Sequence, residues 1–477
     1  MKINRRRNLF YQRRTSNLYR LFALGIILAL GIWFVGQMLR GAIISPFAPT
    51  PNPTRTVASW MLEGEAFFMA GDLESAITAY IEATDVDPEN AQAWANLART
   101  QAYSSRLLTS DAARLTRLTE ALASADQAKA LAPEDSNVLA IRAFVLDWNA
   151  YSALDALRTD GRTAADFLFE ADAEALQALS RDSQNPLALA YYAEVLIDQQ
   201  KLLQADQYIQ PALSLGADVM DVHRVYAYYL ESNLDYSQAI EEYQRALEIN
   251  PNLTFLYISI GQNYRALAFK SAPGAGQNQL YELALENFAK AVRLNEQLGI
   301  ADPLPYVAIA KTYAQQGEFF AAARNAIRAV KIEPANAELY GFLGNIYKRG
   351  RNYETSIIAL QCAVEGCSPA DACVALGEND DCASGTSVTA LPLSDTSATY
   401  YLDYGSVLAA FSPRYPHYCD TAVRVLNQLM VAYADDPIIV RNAQDGLSIC
   451  ASVMSELTPT PGSVFTPTAT FTPTPTP

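Results

Sequence analysis

Small and apolar residues recur along most of this chain at helical spacing, in paired segments separated by short polar turns. From Val57 to about residue 436 the pattern repeats every 34 residues, without gaps in Val57–Asn90, Met220–Leu253 and Pro303–Asn336. Such a period predicts two-helix units that stack, because one helix pair cannot bury its apolar face alone. The eighth position of each repeat is small: Gly64, Ala98, Ala143, Ala193, Ala227, Gly261, Ala310, Gly344 and Gly405. The twentieth position is Ala except at Ser356, and is expected to face back toward the eighth. Larger residues at position 24, such as Tyr80, Tyr243, Phe288 and Leu360, fill the layer between. Pro88, Pro133, Pro251 and Pro334 end second helices, because proline cannot continue the hydrogen-bond ladder.

Three repeats are longer than the period. Residues 91–135, 136–185 and 254–302 carry 11, 16 and 15 extra residues. Nearly all of these fall between the two helices of a pair. They predict a ridge along one edge of the stack, with turns at Thr159–Arg162 and Ser271–Gly276. Tolerated loop insertions are the plainer reading.

The N-terminus has a different pattern. Residues 1–20 hold seven basic residues and no acid, and Leu21 to Leu39 follow without a charge. As a helix, that run reaches about 28 Å, close to the ~30 Å hydrocarbon core of a bilayer. The basic flank predicts a cytoplasmic N-terminus with the rest exported. A cleavable signal peptide would have a shorter apolar run and a small-residue cleavage site. The expected organisation is a basic tail (1–20), a transmembrane helix (21–39), a Pro-rich spacer (40–56), eight repeats (57–370), a Cys-containing insertion with the ninth repeat and a capping helix (371–456), and a Thr/Pro-rich tail (457–477). The net charge of −16 argues against a nucleic-acid partner, which needs a basic face.

The repeats resemble the tetratricopeptide repeat, with its small residue on the first helix, Ala on the second and Pro at the end. The resemblance covers about 380 of the 477 residues. It implies an all-α solenoid of about nine helix-turn-helix repeats with a capping helix, behind the single N-terminal span. It also implies a concave face lined by first helices that binds extended peptides or partner helices. Carried onto the family's groove positions 2, 5, 9, 12 and 13, that face holds Gln262, Arg265, Lys311, Gln315, Asn345, Lys348 and Arg349, a basic and amide-rich strip. Upstream it holds Glu194, Asp198, Asp221, Arg224 and Glu231, net acidic. The expectation is a bipolar groove whose C-terminal half takes an acidic or amide-rich segment. A solvated helix face is the alternative.

Cys362, Cys367, Cys373, Cys382, Cys419 and Cys450 lie within 89 residues, and the preceding 361 hold none. Outside the cytoplasm six cysteines read as disulfides. Zinc is the rival, but C-x4-C-x5-C-x8-C lacks the usual C-x2-C knuckle. The expected pairs are Cys419 with Cys450, joining the ninth repeat to a capping helix, and Cys373 with Cys382. The acidic run Glu378–Asp381 is a weak calcium candidate, since no complete twelve-residue loop surrounds it. His223 falls at a core position. His417 and Cys419 would form a nucleophile pair only with a free thiol. No phosphate-binding, nucleophile-elbow or zinc-protease motif occurs, so no enzyme, cofactor, metal or small-molecule substrate is expected. Two functions stay open: a membrane-anchored scaffold binding polypeptides outside the cytoplasm, and a non-catalytic accessory subunit of a membrane enzyme or transporter.

Overall fold

The structure is a computed structural model that describes residues 17–39, 55–377 and 386–457. The chain divides into two units, residues 1–55 and 56–477. In the first, α1 (Leu18–Leu39) is a helix with apolar side chains exposed along its length, Phe22, Ile27, Leu28 and Trp33 among them. Its stretch Leu18–Met38 has a mean hydropathy of 2.1 and is long and apolar enough to cross a membrane.

The second unit is a succession of antiparallel helix pairs. They are α2/α3 (Val57–Ala70, Leu73–Val86), α4/α5 (Ala91–Ser105, Asp111–Leu131), α6/α7 (Ser136–Asn149, Ala164–Arg181), α8/α9 (Pro186–Asp198, Leu202–Leu215) and α10/α11 (Met220–Ser232, Tyr236–Ile249). Then come α12/α13 (Thr254–Lys270, Ala275–Leu298), α14/α15 (Leu304–Gln316, Phe319–Ile332) and α16/α17 (Ala337–Arg349, Tyr353–Val364). A short α18 (Pro369–Ala375) precedes α19/α20 (Ala398–Phe411, Tyr418–Ala432), and α21 (Pro437–Leu457) closes the stack. The fold is an all-α solenoid, and its described residues contain no strand.

Local chemistry sets the helix ends. Thr56, Asp72, Asn90, Ser110, Asp135 and Asn185 each accept a backbone N–H of the first turn through their side chains. Thr163 and Asp166 form a reciprocal capping box at α7. The small eighth position has a more specific cause than the sequence suggested. A Cβ built on Gly64 would lie 2.6 Å from the Tyr80 ring, and one on Gly261 2.4 Å from the Phe288 ring. Position 8 is small because the large residue at position 24 of the partner helix sits on it, and position 20 meets it too: Ser356 Oγ donates to the Gly344 carbonyl at 2.8 Å.

The insertions act inside the fold. In the second repeat they lengthen α5, in the sixth both α12 and α13, and in the third they form a short 3-10 helix, Ser152–Leu157. The α4–α5 connection and the start of α5 reach the seventh and eighth repeats: Thr109 Oγ1 donates to Glu333 Oε2 (2.5 Å), and the Asp111 N–H to Glu338 Oε1 (3.2 Å). Thr396 Oγ1 donates to Asp111 Oδ2 from the segment before α19 (2.9 Å). At the other side, Asn252 Nδ2 donates to the Met69 carbonyl at 3.1 Å, so the α2–α3 turn touches the α11–α12 turn. The array thus winds tightly enough for distant repeats to meet.

Candidate functional site

First helices line the inside of this winding, and the first ones meet across it. The Tyr103 ring of α4 stacks on Phe255 of α12, with centroids 5.2 Å apart and an interplanar angle of 9°. Arg99, also on α4, pairs with Asp221 of α10 (Nη2 to Oδ2, 2.5 Å), and Tyr191 of α8 donates to Asp221 Oδ1 at 2.6 Å. Tyr103 donates its hydroxyl proton to the same carboxylate. Arg224, one turn after Asp221, holds Glu194 through two hydrogen bonds of 2.7 and 2.5 Å, and Trp148 Nε1 adds a third at 3.1 Å. Asp221, Glu194 and Arg224 are all buried. Burial raises the pKa of Asp221, but the charge and hydrogen bond of Arg99, then Arg224 and Tyr103, outweigh it and set it at about 2.

This corrects the expected acidic strip. Asp221, Arg224 and Glu194 are not a row of free charges in water; they form a buried, mutually satisfied network joining four repeats. The basic strip is also divided. Asn345 Nδ2 donates to Asp403 Oδ2 of α19 (2.7 Å), and Lys348 binds the other oxygen of that carboxylate. Arg349 donates to the Ala314 carbonyl at 2.9 Å and lies over the Phe319 ring. These three are held by neighbouring repeats, and Gln315 lies exposed on the surface.

Gln262, Arg265 and Lys311 do come together. With Asp147, Glu194, Asp198, Arg224, Tyr228 and Glu231 they line a cavity of about 460 Å³ on the inner face. Helical spacing aligns its walls: Glu194 with Asp198 on α8, Arg224 with Tyr228 on α10, and Gln262 with Arg265 on α12. The cavity is bipolar. At its α6–α8–α10 wall, Asp147 is 2% exposed and no N–H or hydroxyl donates to either carboxylate oxygen; its side-chain partner is the carboxyl of Asp198. Burial, then the charges of Asp198 and Glu194, pushes Asp147 well above the usual carboxylate range, against the pull of Arg224. Asp198 meets solvent at the cavity yet is crowded by protein. That burial pushes it up to about 6, although Tyr228 donates to its Oδ1 at 2.6 Å. At the α12–α14 wall, Arg265 donates to the Ala308 carbonyl at 3.4 Å and lies 5.8 Å from the Phe288 ring centroid. Burial lowers the pKa of Arg265; burial and then the Arg265 charge lower that of Lys311. Neither cation has a carboxylate partner among the described residues.

Asp147 and Trp148 were missed from sequence. They occupy groove positions 12 and 13 of the third repeat, so extending the same position rule upstream finds them. His223 is a packed histidine, with Nδ1 2.8 Å from Glu242 Oε2 and Nε2 3.0 Å from the Ala217 carbonyl.

Cys419 is bonded to Cys450, which joins α20 to α21 and leaves no thiol for a pair with His417. Cys362 is bonded to Cys367, the two cysteines left over by the expected pairs, and Cys373 is also in a disulfide. Its expected partner Cys382 and the run Glu378–Asp381 lie outside the described residues. Among the described residues no group of three metal-binding side chains assembles.

Comparison with known proteins agrees with this architecture. Tetratricopeptide-repeat family models match residues 64–102, 226–253 and 307–372. The chain carries tetratricopeptide repeats at these positions, and its fold is the helix-pair solenoid of that repeat. No curated protein matches it. Among solved structures, human IFIT1 as a dimer with PPP-AAAA is 15% identical, with a TM-score of 0.51 over 84% of this chain and 92% of that one. Human IFIT1 with m7Gppp-AAAA is 16% identical, with a TM-score of 0.51 over 85% and 91%. At such identity the likeness concerns the fold alone.

Proposed function

We propose that this chain is a membrane-anchored scaffold whose repeats take a segment of a partner polypeptide into the bipolar cavity. Residues 21–39 anchor it, the N-terminus is cytoplasmic and the repeats lie outside the cytoplasm. The observation that carries this reading is the cavity itself: a concave, partly aromatic space lined by first helices, with carboxylates on one wall and cations on the other. The IFIT1 structures hold a PPP- or capped RNA-like ligand, but the same class fits poorly here. A polyanion entering this cavity meets Asp198 and Glu231, and the whole chain carries a charge of −16.

The test places a photo-crosslinking residue at Gln262, or at the exposed Phe169 of α7 as control, in the full chain in its native membrane. The expected result is a discrete polypeptide adduct from position 262 and none from position 169. Crosslinks from 262 to no polypeptide overturn the scaffold reading. Protease protection in intact cells reports sidedness, and repeats found on the same side as residues 1–20 overturn the topology. A single stoichiometric partner crosslinked through residues 21–39 instead would establish the accessory-subunit alternative.

A further inference from the structure

We infer that the cavity recognises a dipolar ligand: an organic ammonium or guanidinium group received by Asp147 and Asp198, and a carboxylate received by Arg265 and Lys311. The inference rests on the cavity proposed above as the binding site, and it names the chemistry of what enters.

Four observations on the two walls lead to it. Asp147 is buried in the wall with no N–H, hydroxyl or cationic partner on either oxygen, although the great majority of buried polar atoms in folded proteins are paired; the one group it bonds is the carboxyl of Asp198. Removing an ion's partners in a dry site is costly, so a carboxylate there is stable only with a cation or a proton. Asp198 faces it, is its strongest charged neighbour and its hydrogen-bond partner, so the pair holds together only around a shared proton or a cation. The other charges nearby are already committed: Arg224 is held by Glu194 in two hydrogen bonds, and Arg106 lies over the Trp148 ring. Neither can neutralise the acid pair without abandoning its own partner. Opposite, Arg265 and Lys311 have no carboxylate partner among the described residues. A cation spanning to an anion satisfies both walls at once, and a monopolar ligand leaves one unsatisfied.

Asp147, Asp198, Glu194, Arg224, Tyr228 and Arg106 are the titratable groups around the cation site. In the free protein the two aspartates share a proton near neutrality, since like charges held close do not both ionise. An arriving ammonium replaces that proton. Binding therefore releases protons and tightens as pH rises toward neutrality.

The same chemistry has two sources, a Lys/Arg-and-Glu/Asp segment of a polypeptide or a free ω-amino acid, and the experiment separates them. Isothermal titration of the full chain in detergent uses acetyl-Lys-Gly-Gly-Glu-amide and, separately, 6-aminohexanoate. The peptide is expected to bind. Replacing its Lys by norleucine, or its Glu by Gln, is expected to weaken binding about tenfold. Asp147→Asn keeps the side-chain shape. It is expected to weaken the peptide about tenfold and abolish the buffer-dependent proton release, with the helical circular dichroism unchanged. Asp198→Asn is the second variant should Asp147→Asn misfold. Equal affinity for the norleucine peptide, wild-type binding by both variants, or no binding of either probe overturns the inference. Tighter binding of 6-aminohexanoate than of the peptide supports the dipolar chemistry but assigns it to a small molecule. A polypeptide crosslinked at position 262 through a segment without a cationic group keeps the scaffold reading and sinks this inference.

Discussion

The repeats from α2 to α12 and those from α16 to α21 solve the same stacking problem by different means. The first region has one continuous apolar core from Phe68 to Ile260, and at its centre a buried ion network between helices as distant as α4 and α10. The second has its core in separate groups and carries every cysteine of the chain. The difference follows from position. Where the array winds on itself, distant repeats supply each other's hydrogen-bond partners and apolar surface. Where the stack ends there is no next repeat, and α21 is held by one face and by the Cys419–Cys450 bond. Non-local charge pairing stabilises the closed part, and covalent closure stabilises the open end.

The largest effect that would test this contrast is loss of the central carboxylate. Asp221→Ala leaves Arg99, Tyr103 and Tyr191 facing an empty position and is expected to cost about 3–5 kcal/mol, the usual result of breaking a buried pair from one side. Urea denaturation of the full chain in detergent measures it. A loss below about 1 kcal/mol would mean the network is not structural.

Next is the covalent end. Replacing both Cys419 and Cys450 by Ser opens a loop of 31 residues and is expected to cost about 3–4 kcal/mol by chain entropy. The damage should be local, with faster hydrogen exchange in α20 and α21 and unchanged exchange in α4–α10. Uniform loss across both regions would contradict the division drawn here.

The smallest effect is on pH. Asp198 and the buried Asp302 sit at about 6, and Glu338 at about 7, all raised chiefly by burial. The folded chain then binds more protons than the unfolded chain between about pH 4 and 7, so stability falls as pH rises through that window. Melting is expected roughly 2–4 °C higher near pH 5 than near pH 8. Asp221 works in the opposite sense, but only below about pH 4, because its folded value is depressed to about 2. Asp147→Asn should flatten the pH profile and raise stability at the alkaline end; an unchanged profile would remove Asp147 from the set of raised carboxyls.

The helix pairs, their small eighth positions and the apolar N-terminal segment were legible in the sequence, because each is fixed by local periodicity and by which side chains a helix interface admits. The groove positions were legible as positions but not as a surface. Gln262, Arg265 and Lys311 stay together in the cavity, whereas Asn345 and Lys348 are taken by Asp403, more than fifty residues away in the chain. Likewise nothing in the 34-residue period says that Arg99 meets Asp221 or that Thr109 reaches Glu333. The period determines what each repeat buries against its neighbour. How far the array winds per repeat is a sum of small rotations set by side-chain packing at every interface. That sum decides which distant repeats touch, and hence whether a charge on the first helix faces water, an ion partner or the cavity.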